Sequence, residues 1–509
     1  MRDHRYVLAI EIGTTSCKSF IFRTDGYRIA ASAKEHPTYY PHFGWAEQNP
    51  ADWWSAVRET TKEVLARARE SNLEISIVAV TGQMHSAVPV TSSGEPLYNC
   101  AILTDRRSFG QCRKIEEKIS RASVHEITGN RLDPYITAPK LLWLKDEKPE
   151  IFKKMHKLLP PKDFIRFKLT DEFLTDHIEA SGTLLYDIRK REWSPELFDI
   201  FQIPLTCAPE IRNSTLSAGE VTREAARETG IDEGVPVIVG GADDIDILGT
   251  GALKIGSASC HLASTGEIVA LTERPISDPL GRVECYPHVI ENVWVVGGPT
   301  SAAGTALRWF RDNFAQDVVE KCRETKESPY RILDSEAMNS AAGSILFLPY
   351  LLGERCPLWD PNAMGVFFGL KTSHTRTDMY RSILEGVAFS LRDITTTIEQ
   401  LGVDVNHLMI ADGGAHSSLW RQIIADVMGK PLYFTGIEES ASFGSMILAA
   451  VHLEIYSSIE EACGQLVHTK TVNQPVLENQ AKYAALFEIY RKIYRSLSNE
   501  FNTLNQLSV

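Results

Sequence analysis

The sequence predicts an α/β protein built from two domains of one kind. Three observations carry that expectation. At 509 residues the chain has room for several cores of ~100–200 residues each. Strand-like and helix-like stretches alternate along it. A strand, a small polar turn and a second strand open the chain at Tyr6 to Arg23, and the theme returns at Ser259 to Leu271. The two segments share a pattern and few identities. They place a boundary near residues 250 to 258 and divide the chain into 1–252 and 253–509.

The elements follow in order. Tyr6 to Ile12 and Ser19 to Arg23 read as strands around a Gly-Thr-Thr-Ser turn, with a third strand after Asp25-Gly26. Pro50 behind Asn49 opens a helix, because Trp54, Val57, Thr61, Val64, Leu65 and Ala68 recur at helical spacing. Ile75 to Val80 is a buried strand. A helix-rich region from 108 to 230 leads to the apolar strand Val235 to Val239, which stops at Gly240-Gly241-Ala242-Asp243. Leu408 to Ala411 is a strand before a helix from Leu419 to Met428. Tyr483, Leu486, Phe487, Tyr490, Ile493, Tyr494 and Leu497 share one helical face, which reads as a helix packed onto the body before a partner-binding zipper.

Composition narrows the function. With 66 acidic and 53 basic residues the net charge is −13, which argues against a general electrostatic grip on nucleic acid or anionic membranes and leaves local basic sites open. Nine scattered Cys without a Cys-x-x-Cys fit reduced thiols and make zinc or a disulfide frame a poor expectation. No apolar run approaches the ~20 residues of a membrane span, and the N-terminal run lacks a cleavage site, so the expected setting is cytoplasmic.

Four segments could carry chemistry. Glu11 to Lys18 offers backbone N–H groups, three hydroxyls and a cation after a strand, a turn able to cradle phosphate, with a carboxylate able to hold a bridging cation. An ordinary hairpin fits the same residues equally. Neither a Walker loop nor a dinucleotide fingerprint occurs there. Asp243, with Asp244 and Asp246 beside it, follows a buried strand and a glycine pair, where α/β sheets bind ligands; a helix cap explains it as readily. Asp412-Gly413-Gly414-Ala415 precedes a helix and suits close approach of a flat ligand or phosphate, though such turns are common without ligands. His85 could bind a substrate, while a structural histidine is the commoner case.

The order and spacing of these signals resemble the FGGY carbohydrate kinase family from Tyr6 to about Tyr494. Matching stretches include Gly13-Thr14-Thr15-Ser16, Gly44-Trp45-Ala46-Glu47-Gln48, Gly82-Gln83-Met84-His85 and Gly240-Gly241-Ala242-Asp243. Ala303-Gly304-Thr305, Gly353-Glu354-Arg355, Asp412-Gly413-Gly414-Ala415 and Phe443-Gly444-Ser445 match in the second half. Met84-His85, Leu159-Pro160-Pro161-Lys162-Asp163 and Phe367-Phe368-Gly369-Leu370 are similar to xylulose kinases, and gluconate kinases share some of these stretches.

The resemblance implies a pair of ribonuclease-H-like α/β domains flanking a deep cleft, as in actin and sugar kinases. It implies ATP-dependent phosphorylation of a ketopentose, D-xylulose first, at its terminal O5. Ribulose, gluconate, erythritol and glycerol are the alternative acceptors, and a non-catalytic nucleotide sensor is the alternative class. Asp243 would be the base. With a reference pKa of about 3.9 it would orient the hydroxyl and accept its proton late. Met84, His85, Asp243, Asp244 and Leu103 would meet the sugar. Thr14, Thr15, Lys18, Thr265, Gly266, Gly304, Gly414, Ala415 and Ser418 would hold the nucleotide, with Mg2+ at Glu11 and Asp243. Related kinases are often homodimers, and no surface feature here requires one.

Four departures from the family pattern matter. Glu11 stands where Asp is usual, longer by one C–C bond of about 1.5 Å. Asp244 replaces a usual Asn, adding negative charge that disfavours an anionic sugar acid. Leu103 replaces a Trp and removes a stacking surface. Ser264 replaces a glycine and brings a Cβ where glycine would permit unusual backbone angles, which bears on the nucleotide contacts of that turn.

Overall fold

The structure is a computed structural model and describes residues 5–507. In the first of its two compact units, β1 (Tyr6–Ile12), β2 (Ser16–Arg23) and β3 (Arg28–Glu35) form an antiparallel meander. Strand β2 starts three residues before the expected Ser19, because the hairpin is tight: Gly13 N–H bonds Ser16 O at 3.0 Å and pairing runs to Ile12–Cys17. Helix α1 (Pro50–Glu70) packs across β2 and β3. The Asn49 side chain caps it by accepting from Ala51 N–H at 3.0 Å, a contact worth ~1 kcal/mol. Its buried stripe includes Trp53, Trp54, Val57, Thr61, Val64, Leu65 and Ala68.

Strand β4 (Ile75–Gly82) then joins β1 in parallel. β5 (Ser217–Glu220) and β6 (Pro236–Ile238) complete the order β5-β6-β4-β1-β2-β3. Strand β1 lies inside the sheet with Val7, Leu8, Ala9 and Ile10 fully buried, which is why it reads as an unbroken apolar run.

The second unit repeats the plan. Its strands β7 (Gly256–Leu262), β8 (Gly266–Thr272), β9 (Trp294–Thr300), β10 (Val405–Ala411), β11 (Leu432–Phe434) and β12 (Thr471–Asn473) run in the order β9-β8-β7-β10-β11-β12. From β8 to β12 the pairings are antiparallel, parallel, parallel and antiparallel, the same succession as β2-β1-β4-β6-β5. The repeat that sequence identity barely registers is thus explicit in the pairing, and the two-domain α/β fold stands.

The units do not follow a single cut in sequence. The first holds residues up to 249 and adds 273–295 and 439–467. These later segments are tied in by long-range contacts. His125 Nε2 donates to Val283 O at 2.8 Å, Tyr456 Oη to Thr24 O at 3.1 Å, and Phe443 meets Phe22 edge-on at 6.2 Å. In the second unit, α2 (Gly304–Phe314), α3 (Arg376–Gln400) and α4 (Ser418–Met428) flank the sheet. The last helix, α5 (Leu477–Leu507), buries Tyr483, Phe487, Tyr490 and Ile493, and Tyr490 Oη meets Tyr350 Oη at 2.8 Å. It is a packed helix of the body, as its periodicity suggested.

Candidate active site

In the first unit the chain leaves β6 through Gly240, whose φ of +72° excludes a side chain: a Cβ there would lie 2.2 Å from Val80 O. That close approach turns the chain into a 3-10 turn, Asp243–Ile245, leading into the helix Asp246–Thr250. Ala242 occupies the cap position, so Asp243 is no ordinary N-cap; it lies in the first turn, where a negative charge is favoured. Asp243 and Asp244 are half-buried. Their charges reach buried neighbours. Burial pushes the Glu179 carboxyl well up, Lys162 opposes this, and Asp163, Asp176 and Asp243 add to it.

Met84 and His85 follow β4 and flank Gly182; His85 has φ of 60°, and its Nδ1 lies 3.1 Å from Gly182 O. Its Nε2 is 3.4 Å from Tyr286 Oη, which donates to Glu284 Oε2 at 3.0 Å. Tyr135 Oη donates to Glu284 Oε1, and its ring meets His85 at 5.0 Å. Burial first, then Glu284, Tyr135 and Asp244, push the Tyr286 phenol far up, so it remains a donor. The Leu103 segment adjoins His85, because Lys140 Nζ donates to both His85 O at 2.9 Å and Ile102 O at 2.8 Å. Asp105 and Arg107 beside it are structural. Arg107 bonds Asp105 and Glu47 at 2.7 Å each and lies against both the Trp45 and Trp143 rings at 3.8 and 4.7 Å, the two rings meeting edge-on at 5.0 Å.

The turn between β1 and β2 directs its carbonyls inward. Gln48 Nε2 donates to Thr14 O at 2.7 Å and His36 N–H to Thr15 O at 3.2 Å, while Gln48 Oε1 accepts from Trp53 and Gln83. Thr14 and Thr15 are left exposed. Glu11 is held at both oxygens: Ser442 Oγ donates at 2.6 Å and Lys18 Nζ lies 3.4 Å away. Lys18 also bonds Glu439 at 2.8 Å. Burial works against its charge, but Glu11 and Glu439 prevail and its proton affinity rises. Glu11 and Asp243 carry hard carboxylate oxygens of the kind that Mg2+ takes together with phosphates and water. Among the described residues there is no cluster of three or more metal-ligating side chains, so the donor set fits a phosphate-bridging ion better than an all-protein cage.

The second unit contains a cavity of about 820 Å³. Gly304, Gly414 and Ser418 line it, with Ser264, Arg308, Tyr330, Asp334 and Trp420. Here the 3-10 turn Gly413–His416 passes into α4, capped by Ser417 Oγ accepting from Trp420 N–H at 3.0 Å. Ala415 is fully buried and its carbonyl accepts from Arg421, which places it behind the cavity wall. Thr265 and Gly266 belong to the β7–β8 turn, outside the lining; a Cβ on Gly266 would meet Thr300 at 3.0 Å. The Ser264 backbone lies outside the left-handed region, so its Cβ is accommodated there. Its carbonyl accepts from Ala303 and Thr305 N–H at 3.1 and 3.0 Å, which an ordinary φ allows.

Sequence reasoning missed Tyr135, Glu284 and Tyr286 around His85, and Asp334 in the cavity. Glu284 and Tyr286 alternate along one short strand, Glu284–Pro287, 200 residues from His85 in sequence, so only the fold joins them. Asp334 accepts from Tyr380 Oη at 2.8 Å, and burial pushes its carboxyl up against Ser417 and Tyr380.

The profile of the FGGY family of carbohydrate kinases, N-terminal domain, matches residues 6–247, and that of the C-terminal domain matches 251–453. The chain is 31% identical over 492 residues to the xylulose kinase of Bacillus subtilis, covering 96% of this chain and 97% of that one. It is also 31% identical over 507 residues to the gluconokinase of the same organism, covering 98% and 97%. A ligand-bound xylulose kinase from Lactobacillus acidophilus superposes with a TM-score of 0.90 at 27% identity, covering 98% of this chain and all of that one.

Proposed function

Because the chain belongs to the FGGY family of carbohydrate kinases, we propose that it transfers the γ-phosphate of ATP to a neutral ketopentose, D-xylulose first, at its terminal O5. Kinases of this family use ATP. The observation that carries the neutral substrate is the chain from His85 through Tyr286 to the buried Glu284, with Asp244 acting on Tyr286 and Asp243 acting on the buried Glu179. Three acids surround this site, and the carboxylate of gluconate would be a fourth. A polyhydroxylated neutral ligand instead finds donors and acceptors together.

In this reading Asp243 accepts a hydrogen bond from the attacking hydroxyl and takes its proton late, as the new O–P bond forms. His85 and Met84 fix the sugar, the first by hydrogen bonding and the second by apolar contact. The exposed Thr14 and Thr15 meet the transferred phosphate, and the 820 Å³ cavity receives the nucleoside. Mg2+, held by Glu11 and Asp243, would neutralise phosphate charge. Nine free, buried thiols suit a reducing, cytoplasmic setting.

The test is ADP release with Mg-ATP against D-xylulose, D-ribulose, L-ribulose, D-gluconate, glycerol and erythritol. Highest kcat/KM on D-xylulose supports the reading. Highest kcat/KM on another neutral sugar or polyol moves the substrate within the neutral class. Turnover of gluconate above every neutral acceptor overturns it.

A further inference from the structure

The two walls of the nucleoside cavity are joined where they leave the sheet. Strands β7 and β10 run parallel and His261 pairs with Ala411, the last residue of β10. The next residue, Asp412, has φ of 73° and ψ of 179°, a conformation that a residue with a side chain holds only when its surroundings enforce it. Two bonds do so: Asp412 N–H to Ile437 O at 3.2 Å, and Asp412 Oδ2 to His261 Nδ1 at 2.9 Å. Beyond Asp412, the residues Gly413, Gly414, His416, Ser417 and Ser418 line one side of the cavity; beyond His261, Leu262, Ala263 and Ser264 line the other.

Behind the histidine the chain of bonds continues. Ser259 Oγ lies 2.7 Å from His261 Nε2 and donates its own proton to Thr250 Oγ1 at 2.9 Å. A carboxylate only accepts, so Nδ1 carries a proton. Ser259 directs its hydroxyl hydrogen at Thr250 Oγ1, so toward Nε2 it can only accept and Nε2 carries a proton as well. The charged groups around the ring are Asp412 at the end of β10 and Glu267 opposite His261 on β8, with Arg355 acting on Glu267. Desolvation pushes Glu267 up, His261 and Arg355 oppose, and Asp412 adds.

We propose that His261 is a positioning residue for the nucleotide: as an imidazolium bonded to Asp412, it holds the Asp412–Ser418 turn in its strained, cavity-forming conformation. This rests on the reading that the cavity of the second unit receives the nucleoside. Loss of the imidazolium charge turns the charge-assisted bond to Asp412 into a weaker neutral one and loosens the turn, so affinity for nucleotide falls as pH rises through that ionisation.

The experiment is titration of the full-length protein with a fluorescent ADP from pH 5.5 to 8.5, with melting temperature checked for every variant. His261→Ala is expected to weaken ADP about tenfold. Asp412→Ala is expected to do the same, and the double variant no more than either alone. His261→Asn keeps a donor where Nδ1 stood and cannot titrate; it is expected to bind near wild type at neutral pH with a flat profile. Exposed Arg308→Glu, on the cavity lining, reports on the placement of the nucleotide. Undiminished ADP binding in Arg308→Glu overturns that placement and the proposal with it. Weakened binding in Arg308→Glu, together with wild-type affinity and pH profile in His261→Ala, overturns the proposal alone. Additive losses in the double variant overturn it as well.

Discussion

Tyr286 stands between His85 and Glu284, 3.4 Å from the imidazole Nε2 and donating to the carboxylate at 3.0 Å. Because its proton is committed to Glu284, Tyr286 can only accept on the side that faces His85 Nε2. The carboxylate therefore sets which hydrogen bond the phenol offers the imidazole. Glu284→Gln keeps the shape and removes the charge. The expected outcome is a KM for the neutral sugar about tenfold higher with KM for ATP unchanged. The ratio of gluconate to neutral-sugar turnover should rise at the same time. Steady-state kinetics on both acceptors checks this, and an unchanged ratio would remove Glu284 from substrate selection.

Asp243→Ala is expected to lower kcat by about 10²–10⁴-fold while leaving sugar binding measurable by calorimetry. The contribution sought is orientation and late proton acceptance, so the loss belongs in kcat and not in the sugar dissociation constant. Turnover within twofold of wild type would sink the assignment.

The parts of this site that can be read in sequence are those written locally. Glu11 to Lys18, Gly82 to His85, Gly240 to Asp243 and Asp412 to Ser418 each follow a strand, and a strand end with glycines and a polar residue is a local pattern. What sequence could not supply is the company these residues keep. Lys18 looks like a free cation beside a phosphate turn, yet Glu439 pairs with it across 421 positions. Arg107 and Asp105 stand in the same stretch as Leu103, yet both side chains are at most 1% exposed, with Arg107 bonded to Asp105 and Glu47 and set against two indoles. The fold divides the same way. Strand β1 announces itself as seven residues with an apolar run, whereas residues 273–295 and 439–467 join the first unit only through long-range contacts.

Arg107 supplies a stability prediction. Removing it leaves Asp105 and Glu47 as buried acids without their cation and strips a packed guanidinium from the faces of Trp45 and Trp143. Loss of one partner from a buried ion pair costs about 3–5 kcal/mol, far above the effect of an exposed pair. Arg107→Ala should therefore lower the urea midpoint markedly. Arg67→Ala, which breaks an exposed pair with Glu63 on α1, should change it by less than about 0.5 kcal/mol. Equal midpoints for the two variants would contradict the role given to the indole-flanked guanidinium.

Lys140 makes the pH dependence of stability testable. Burial pulls its ammonium down from 10.5 to about 7, Cys100 and Asp105 oppose this, and Arg106 and Arg107 add to it. A neutral amine still has two protons to donate, one each to His85 O and Ile102 O, so the bonds that hold the His85 segment survive deprotonation. Between the folded and unfolded values the unfolded chain binds more protons than the native one, so this group's contribution to stability rises with pH above 7. Below 7 both states are charged and the burial penalty is present in full. Buried thiols such as Cys17 and Cys100, pushed up to about 12, act in the opposite sense once unfolded thiols ionise. The clear window is therefore pH 7 to about 8.5. There the stability of wild type relative to Lys140→Met should climb by up to about 1.4 kcal/mol per pH unit in urea denaturation. A flat difference across that window would mean that Lys140 stays charged inside the fold, and that its two carbonyl partners stabilise an ammonium.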